Sequence, residues 1–379
     1  MLHAQPYLIT FTPIGRFFFG TSRSFAEGFF VESMRYPKPS TVLGSLRYNI
    51  LRQNNKSVLN DQGQLTQPIP DDIAQLTGTS QISGLSDTNV DFGVIERLSP
   101  AFIVKLATGD EGKIENIYLP VPSDTVLRNG TLFVTGFEER SNVLSSESET
   151  GILSTRKRKE YPVRCLGGSA FWKEYVSAKT GQEISNDTVL AENDVFIPAA
   201  NVGIARENRM TVENMYYMKT DYILQRGFAF GVIIWFRKNP PLKSDMVRLG
   251  GEHSVFSMNI QEIREESFLS GHPVVSALFS GDVYTSEIVS CAGTEKIVTL
   301  SPLVVEGDIW RHLRHAIIPS IETVRMLKPR LSSSTEKTET SCMIPVGAVL
   351  YPQSGMGNAV TSFGRLPNAI GYNRVLKIT

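Results

Sequence analysis

The side chains that could carry covalent or metal chemistry in this chain are spaced so as to withhold it. His312 and His315 stand three apart in a stretch with helical periodicity and could in principle share a metal. No carboxylate repeat accompanies them, and they fall opposite the Trp310, Leu313 and Ile317 face, so two exposed histidines are expected. Lys179-Thr180-Gly181 matches one box of serine β-lactamases, without the S-x-x-K and S-D-N partners that would give it meaning. G-x-S-x-G and H-E-x-x-H are both absent from the sequence. Cys165, Cys291 and Cys342 are an odd number, far apart and never in C-x-x-C spacing, which excludes a disulfide framework or a zinc site and fits a reducing cytoplasm. No catalytic residue, metal or cofactor is expected.

Residues suited to holding an anion are better represented. Pro39, Ser40 and Thr41 open a helix beside Arg35 and Lys38, with Ser40 or Thr41 as the expected N-cap. Free N–H groups and the helix dipole both favour a phosphate there, although simple capping uses the same residues. The tail YPQSGMGNAVTSFGRLPNAIGYNRV carries Gly355, Gly357, Gly364 and Gly371 with Arg365 and Arg374. Glycine permits close backbone approach to a phosphate, but the G-K-[ST] ending of a nucleotide-triphosphate loop is missing. Leu249-Gly250-Gly251-Glu252-His253 reads as a tight turn.

These residues need elements to place them. Tyr7 to Thr12 is an expected strand, followed by the helix signal PKPSTVLGSLRYNIL. On that helix Val42, Leu43, Leu46 and Ile50 share a face, with Ser45 and Arg52 opposite and Arg47 on the flank. Residues 53–91 form a polar insertion with one short helix near Ile73 to Leu76. Strands are expected at Phe92–Leu98, Ala101–Leu106 and Ile114–Leu119, the last ending in PVPSD. Arg140 to Glu160 reads as a mobile loop or flexible hairpin tip, then a helix over Ser169–Lys179 and extended chain over Phe196–Tyr217. The second half is expected to run strand Phe228–Phe236, helical piece Leu242–Arg248, strand Val255–Ile260, and strands within Val274–Tyr284 and Lys296–Val305. A helix Asp308–Ile318 and strand Met343–Tyr351 close it. Each half reads as β-α-β-β-α-β, so the expected fold class is α+β with two tandem ferredoxin-like domains, 1–220 and 221–379, and insertions at 53–91 and 140–160.

Thirty-eight basic and 38 acidic side chains cancel, which excludes global attraction to a polyanion. Local patches survive: +5 over residues 1–60, −5 over 61–100, +4 over 151–175 and +5 over 324–379. A neutral protein with a basic groove can still bind RNA, because phosphate neutralisation is local; ordinary solvated faces are the plainer account. The longest apolar run, Phe228 to Phe236, is about half of what a membrane-crossing helix needs. The opening segment has neither a basic n-region nor a cleavage site, so export is not expected.

Four stretches in succession carry a family resemblance: RYPKPSTVLGSLRYNIL, IYLPVPSD, NVGIARENRMTVENMYY and LGGEH, followed by the glycine-rich tail. In these the chain resembles the RAMP superfamily of CRISPR proteins, and within it the subunit-three family of the type III-B (Cmr) effector complex. The resemblance implies two ferredoxin-like domains without catalytic activity, holding the crRNA 5′ handle against the large polymerase-like subunit and the backbone RAMP subunits, with target RNA met indirectly and no membrane. It implies handle or phosphate contacts at Lys38, Ser40, Thr41 and Arg47 beside Arg35, and at Arg206 and Arg209. It also implies a glycine-rich loop contact through Gly355, Gly357, Asn358 and Arg365. Arg156, Lys157, Arg158 and Lys159 are expected to form a thumb reaching the guide or target strand. The polar insertion and the absence of an arginine after Glu252 depart from the common pattern and leave open a type III-A or III-D counterpart. A metal-independent crRNA-processing endoribonuclease would need a histidine base, and only His3 precedes the first strand. A scaffold touching protein partners alone is the remaining alternative.

Overall fold

The structure is a computed structural model that describes residues 4–20, 30–57, 68–80, 90–107, 109, 113–139, 151–153, 163–185, 189–207, 210–264, 268, 270–279, 296–304, 310, 313–324, 341–352 and 365–378. The chain opens with β1 (Gln5–Pro13), β2 (Phe30–Glu32), α1 (Pro39–Gln53) and α2 (Asp71–Thr77). Next come β3 (Ile95–Leu98), β4 (Phe102–Leu106), β5 (Ile114–Pro120), β6 (Thr125–Arg128), β7 (Thr131–Val134), β8 (Phe137–Glu139) and β9 (Gly151–Leu153). β10 (Cys165–Gly167) leads into α3 (Ser169–Ser177), β11 (Glu183–Ile184), β12 (Val189–Ala191) and α4 (Glu192–Val195). β13 (Phe196–Glu207) and β14 (Met210–Leu224) form a long hairpin before β15 (Phe228–Phe236), β16 (Asp245–Arg248) and β17 (Val255–Glu262). The rest is α5 (Pro273–Phe279), β18 (Lys296–Thr299), β19 (Leu303–Val304), β20 (Leu313–Ile317), β21 (Glu322–Val324), β22 (Ser341–Ile344), β23 (Val349–Pro352), α6 (Arg365–Ala369) and β24 (Val375–Ile378).

A nine-stranded open sheet dominates, in the order β12-β10-β5-β4-β15-β1-β17-β16, with β3 also paired to β15. β15, FAFGVIIWF, sits near its centre because it is apolar at every position and can be covered on both faces. Its alternation then sorts two cores. Phe230, Val232, Ile234 and Phe236 face α1 through Val42, Leu43, Leu46 and Ile50. Ile233 and Trp235 face α3 and α5 through Phe171, Trp172 and Val274. A Cβ on Gly231 would lie 2.5 Å from the Phe102 ring, so only glycine lets β4 approach so closely. A four-stranded sheet, β20-β23-β18-β24, and smaller sheets complete a mixed α+β fold of open sheets, consistent with ferredoxin-like topology.

The edge of the large sheet is sealed. Ser45 Oγ donates to the Arg248 carbonyl (2.7 Å), Arg52 Nη2 to Met246 (3.3 Å), Gln53 Nε2 to Lys243 (3.0 Å) and Asn54 Nδ2 to Pro241 (3.0 Å). The polar face of α1 thereby satisfies carbonyls that an edge strand would otherwise offer to another chain.

Several expected elements differ. The N-cap of α1 is Lys38, not Ser40 or Thr41, because Pro39 with its fixed φ takes the first helical position. Leu242–Arg248 contains strand β16, not a helix, drawn out by pairing with β17 from Asp245↔Met258 to Arg248↔Val255. Leu313–Ile317 is strand β20 where a helix over 308–318 was expected; Leu313 and Ile317, four apart, share a face under either period, and pairing with β23 decides. The reverse holds for Val274, which lies in α5: Pro273 opens that helix and His272 Nδ1 accepts the Val274 N–H (3.3 Å). Met343–Tyr351 is two strands split at Gly347, whose φ of +82° turns the chain. β15 and β17 follow residue 220 yet pair with strands that precede it, so the large sheet crosses the expected division.

Candidate nucleic-acid interface

The first turn of α1 has no acidic residue and no side-chain cap. Its N–H groups are met otherwise: Thr41 and Val42 donate to the Lys38 carbonyl (2.9 and 3.1 Å). Ser40 meets Tyr372, whose hydroxyl lies 3.3 Å from Ser40 Oγ and also accepts the Ser40 backbone N–H. Burial pushes the Tyr372 hydroxyl up to about 12, against the pull of those Ser40 bonds, so it stays a neutral phenol. Tyr372 is positioned by the turn after α6, where a Cβ on Gly371 (φ +96°) would lie 2.6 Å from the Ser99 carbonyl. Asn373 then accepts the Val304 N–H at 2.7 Å. The chain emerging from the glycine-rich tail is thus brought onto the start of helix one.

The cations there have carboxylate neighbours. Arg35 pairs with Glu192 at 3.1 Å and lies over the Tyr222 ring at 5.4 Å, while Tyr222 donates a hydrogen bond to Glu32. Burial raises Glu192 against the opposing effect of Arg35. Lys38 and Glu322 face each other: burial lowers the ammonium and raises the carboxyl, each partly offset by its partner. On both sides desolvation outweighs the attraction, so neither charge is fully compensated by its partner. Arg47 is turned the other way, donating to the Ser80 carbonyl (3.0 Å) and to Gly78 (3.4 Å), and burial lowers it despite Asp91.

Beside this end of α1 lies the base of the β13–β14 hairpin. Lys219 pairs with Asp221 (3.1 Å) and Glu252 (3.6 Å) and sits over the Phe18 ring at 4.6 Å. Glu252 belongs to the LGGEH turn, which is the tight turn expected: Gly250 has φ +89°, and a Cβ there would lie 2.7 Å from the Phe18 carbonyl. On the tip side of Met218 the hairpin pairs, among the described residues, only with itself, since β2 joins β14 over Met218–Thr220.

The structure therefore gathers Arg35, Lys38, Ser40 and Thr41 and separates Arg47 from them. Arg206 lies on the backbone of β13 near the hairpin tip, and Arg365 opens α6. Arg156, Lys157, Arg158, Lys159, Arg209, Gly355, Gly357 and Asn358 lie outside the described residues, as does His312; His315 is in β20. Sequence reading missed Glu192, Glu322 and Tyr372, whose distance along the chain from Arg35, Lys38 and Ser40 leaves no local signal. It also missed Asp124, the last residue of PVPSD, which holds Lys296 and Tyr175 in a buried cluster.

The sequence model for a family described as CRISPR-associated protein (Cas_Cmr3) matches residues 9–359. The chain belongs to the Cas_Cmr3 family. That match takes in α1, the long hairpin and LGGEH, and runs into the glycine-rich tail. Among solved structures, this Cas_Cmr3 chain is similar to one in a cryo-EM structure of a type III-B Cmr-beta complex bound to cognate target RNA and AMPPnP. The TM-score is 0.50 at 13% identity, covering 98% of this chain and 96% of that one. A chain of Cmr-beta bound to cognate target RNA gives 0.48 at 12% identity with the same coverage. A chain of the Csm3–Csm4 subcomplex of a type III-A interference complex gives 0.37 at 7%, covering 98% and 99%. No curated protein matches the sequence. Among the described residues of this Cas_Cmr3 chain no group of His, Cys, Asp and Glu could hold a metal, and no helix is long and apolar enough to cross a membrane.

Proposed function

We propose that this chain is a non-catalytic, RNA-binding scaffold subunit of a type III-B Cmr effector ribonucleoprotein, holding the crRNA 5′ handle and docking the large polymerase-like subunit. The observation that carries the reading is the junction at Ser40 and Tyr372, which joins the start of helix one to the chain leaving the glycine-rich tail, in a sequence matched by the Cas_Cmr3 family over residues 9–359. Its fold likeness to a chain of a Cmr-beta complex bound to target RNA supports it.

In this reading Arg35, Lys38, Ser40 and Thr41 meet the handle backbone, with Gly355, Gly357, Asn358 and Arg365 approaching from the tail. An incoming phosphate exchanges with Glu192 and Glu322 for their cations, a charge-assisted swap. Arg47 holds α1 from behind through Gly78 and Ser80. Arg206, on the hairpin, and Arg209 contact the RNA in this reading, and Arg156, Lys157, Arg158 and Lys159 reach the guide or target strand. The two-unit reading, 1–220 and 221–379, belongs with this proposal; strands alternating with α1 and α3 before the division and with α5 and α6 after it support it, and the shared sheet interlocks the units.

The test is crRNA retention by the purified chain across a salt series. Charge reversal at Lys38 and Arg365 together is expected to weaken retention about tenfold or more and to flatten the log–log salt slope by about 0.7 for each phosphate no longer neutralised. A variant that keeps its fold, its retention and its slope would return the chain to a protein-only scaffold.

A further inference from the structure

Among the described residues, one part of the large sheet has no cover. Val247 of β16 and Phe256 and Met258 of β17 point into the core beneath α1, so their neighbours along each strand point to the opposite side. The α3–α5 core occupies that side only farther along β1, from Leu8 onwards. Strand register places Ile14, Val255 and Arg248 in one row across β1, β17 and β16, Ile14 donating its N–H to the Val255 carbonyl at 3.0 Å. Thr12, Ser257 and Met246 form the next row on the same face. Ile14, Met246 and Val255 are 55%, 52% and 38% exposed.

The composition of this face selects among occupants. It has no aromatic side chain on which a base could stack, which disfavours a single-stranded RNA. Arg248 is its only charge, and among the described residues it makes no ion pair. Adding a strand at the edge is blocked, because α1 already bonds the Met246 and Arg248 carbonyls. Three exposed apolar side chains around an unpaired arginine are what a protein interface uses, an apolar centre with one charge to fix register.

We propose that the β1–β17–β16 face is a docking surface for a protein subunit that lays an apolar patch across Ile14, Val255 and Met246 and sets a carboxylate against Arg248. The proposal rests on the scaffold reading above and adds which surface carries a protein neighbour. Its test uses the full chain co-expressed with the other subunits of its complex, comparing wild type with Met246→Asp/Val255→Asp and with Arg248→Glu. All three substitutions are at exposed positions, so thermal melts are expected to match wild type. Recovery of one subunit is expected to fall about tenfold or more in both variants while crRNA retention by the isolated chain is unchanged. A photo-crosslinker at Ser257 is expected to capture that subunit at an apolar segment bearing an acidic residue. Full assembly of both variants, or a crosslink to RNA, would overturn the docking surface. Loss of RNA from the wild-type chain would instead defeat the handle-binding reading, with subunit recovery still reporting on the face.

Discussion

Asp124 has no exposed surface, and three groups converge on it: Tyr175 Oη donates to both carboxylate oxygens (2.8 and 3.0 Å), Lys296 Nζ lies 2.9 Å away and Tyr351 Oη 3.4 Å. Lys296 also sits over the Tyr175 ring at 4.1 Å. Burial first, then the carboxylate, raises both phenols well above their ordinary range, so they remain donors. Removing one member of such a pair strands the other charge, so Asp124→Asn and Lys296→Met are each expected to cost about 3–5 kcal/mol in denaturant unfolding. Asp124→Asn/Lys296→Met should lose less than the sum, because neither charge is then left alone. His272, 2% exposed, gives a second test: burial, opposed by a bond with the Ile117 backbone and reinforced by Lys173, pushes it down to about 4 from 6.5. Between those values the unfolded chain binds a proton that the folded chain refuses, so stability is full above 6.5 and falls as pH drops towards 4. The loss should total about 3 kcal/mol and be absent in His272→Asn, which keeps a helix cap without titrating. Neither role was legible locally: Asp124 reads as the end of a turn motif, and its partners lie 51, 172 and 227 residues away.

Elements were legible where one segment carried its own pattern. α1 folds with Val42, Leu43, Leu46 and Ile50 buried, and β15 is the buried run its composition suggests. What failed were short segments whose period is ambiguous and whose state is set by a distant strand, such as Asp245–Arg248 and Leu313–Ile317. The polar face of α1 shows the same dependence: Ser45 and Arg52 were expected opposite the apolar face, but only the fold reveals that they close an edge. Arg52 is half-exposed, so its bond with Asp245 at 2.5 Å is screened and contributes little by itself. Arg52→Ala/Gln53→Ala is therefore expected to cost only about 1–2 kcal/mol while uncovering strand carbonyls. Light scattering should then show concentration-dependent association that wild type lacks; a variant as monodisperse as wild type would mean that the seal is dispensable.

Both large cores draw on the whole chain. The core under α1 runs from Ile9 to Tyr372, and the core under α3 and α5 from Leu8 to Ile378. The sequence pattern separated the chain near residue 220 because strands and helices alternate on each side, and alternation says nothing about which strands meet. β1 is the clearest case: it is flanked by β15 on one side and β17 on the other, over Gln5–Phe11 and Tyr7–Pro13 respectively. A fragment of residues 1–220 would leave β1 with two open edges and strip Phe230, Val232 and Phe256 from the core that α1 buries against. Ser123 and Gly347 (2.7 Å) and the Asp124 cluster then fasten the C-terminal sheet to the PVPSD turn. Halves of a chain joined in this way should unfold together. Far-ultraviolet dichroism and tryptophan fluorescence are expected to trace one coincident urea transition, reported by Trp172 and Trp235 in the shared core. Fragment 1–220 should be insoluble or unfolded. Two separated transitions, or a folded 1–220 fragment, would mean that the large sheet tolerates division at residue 220.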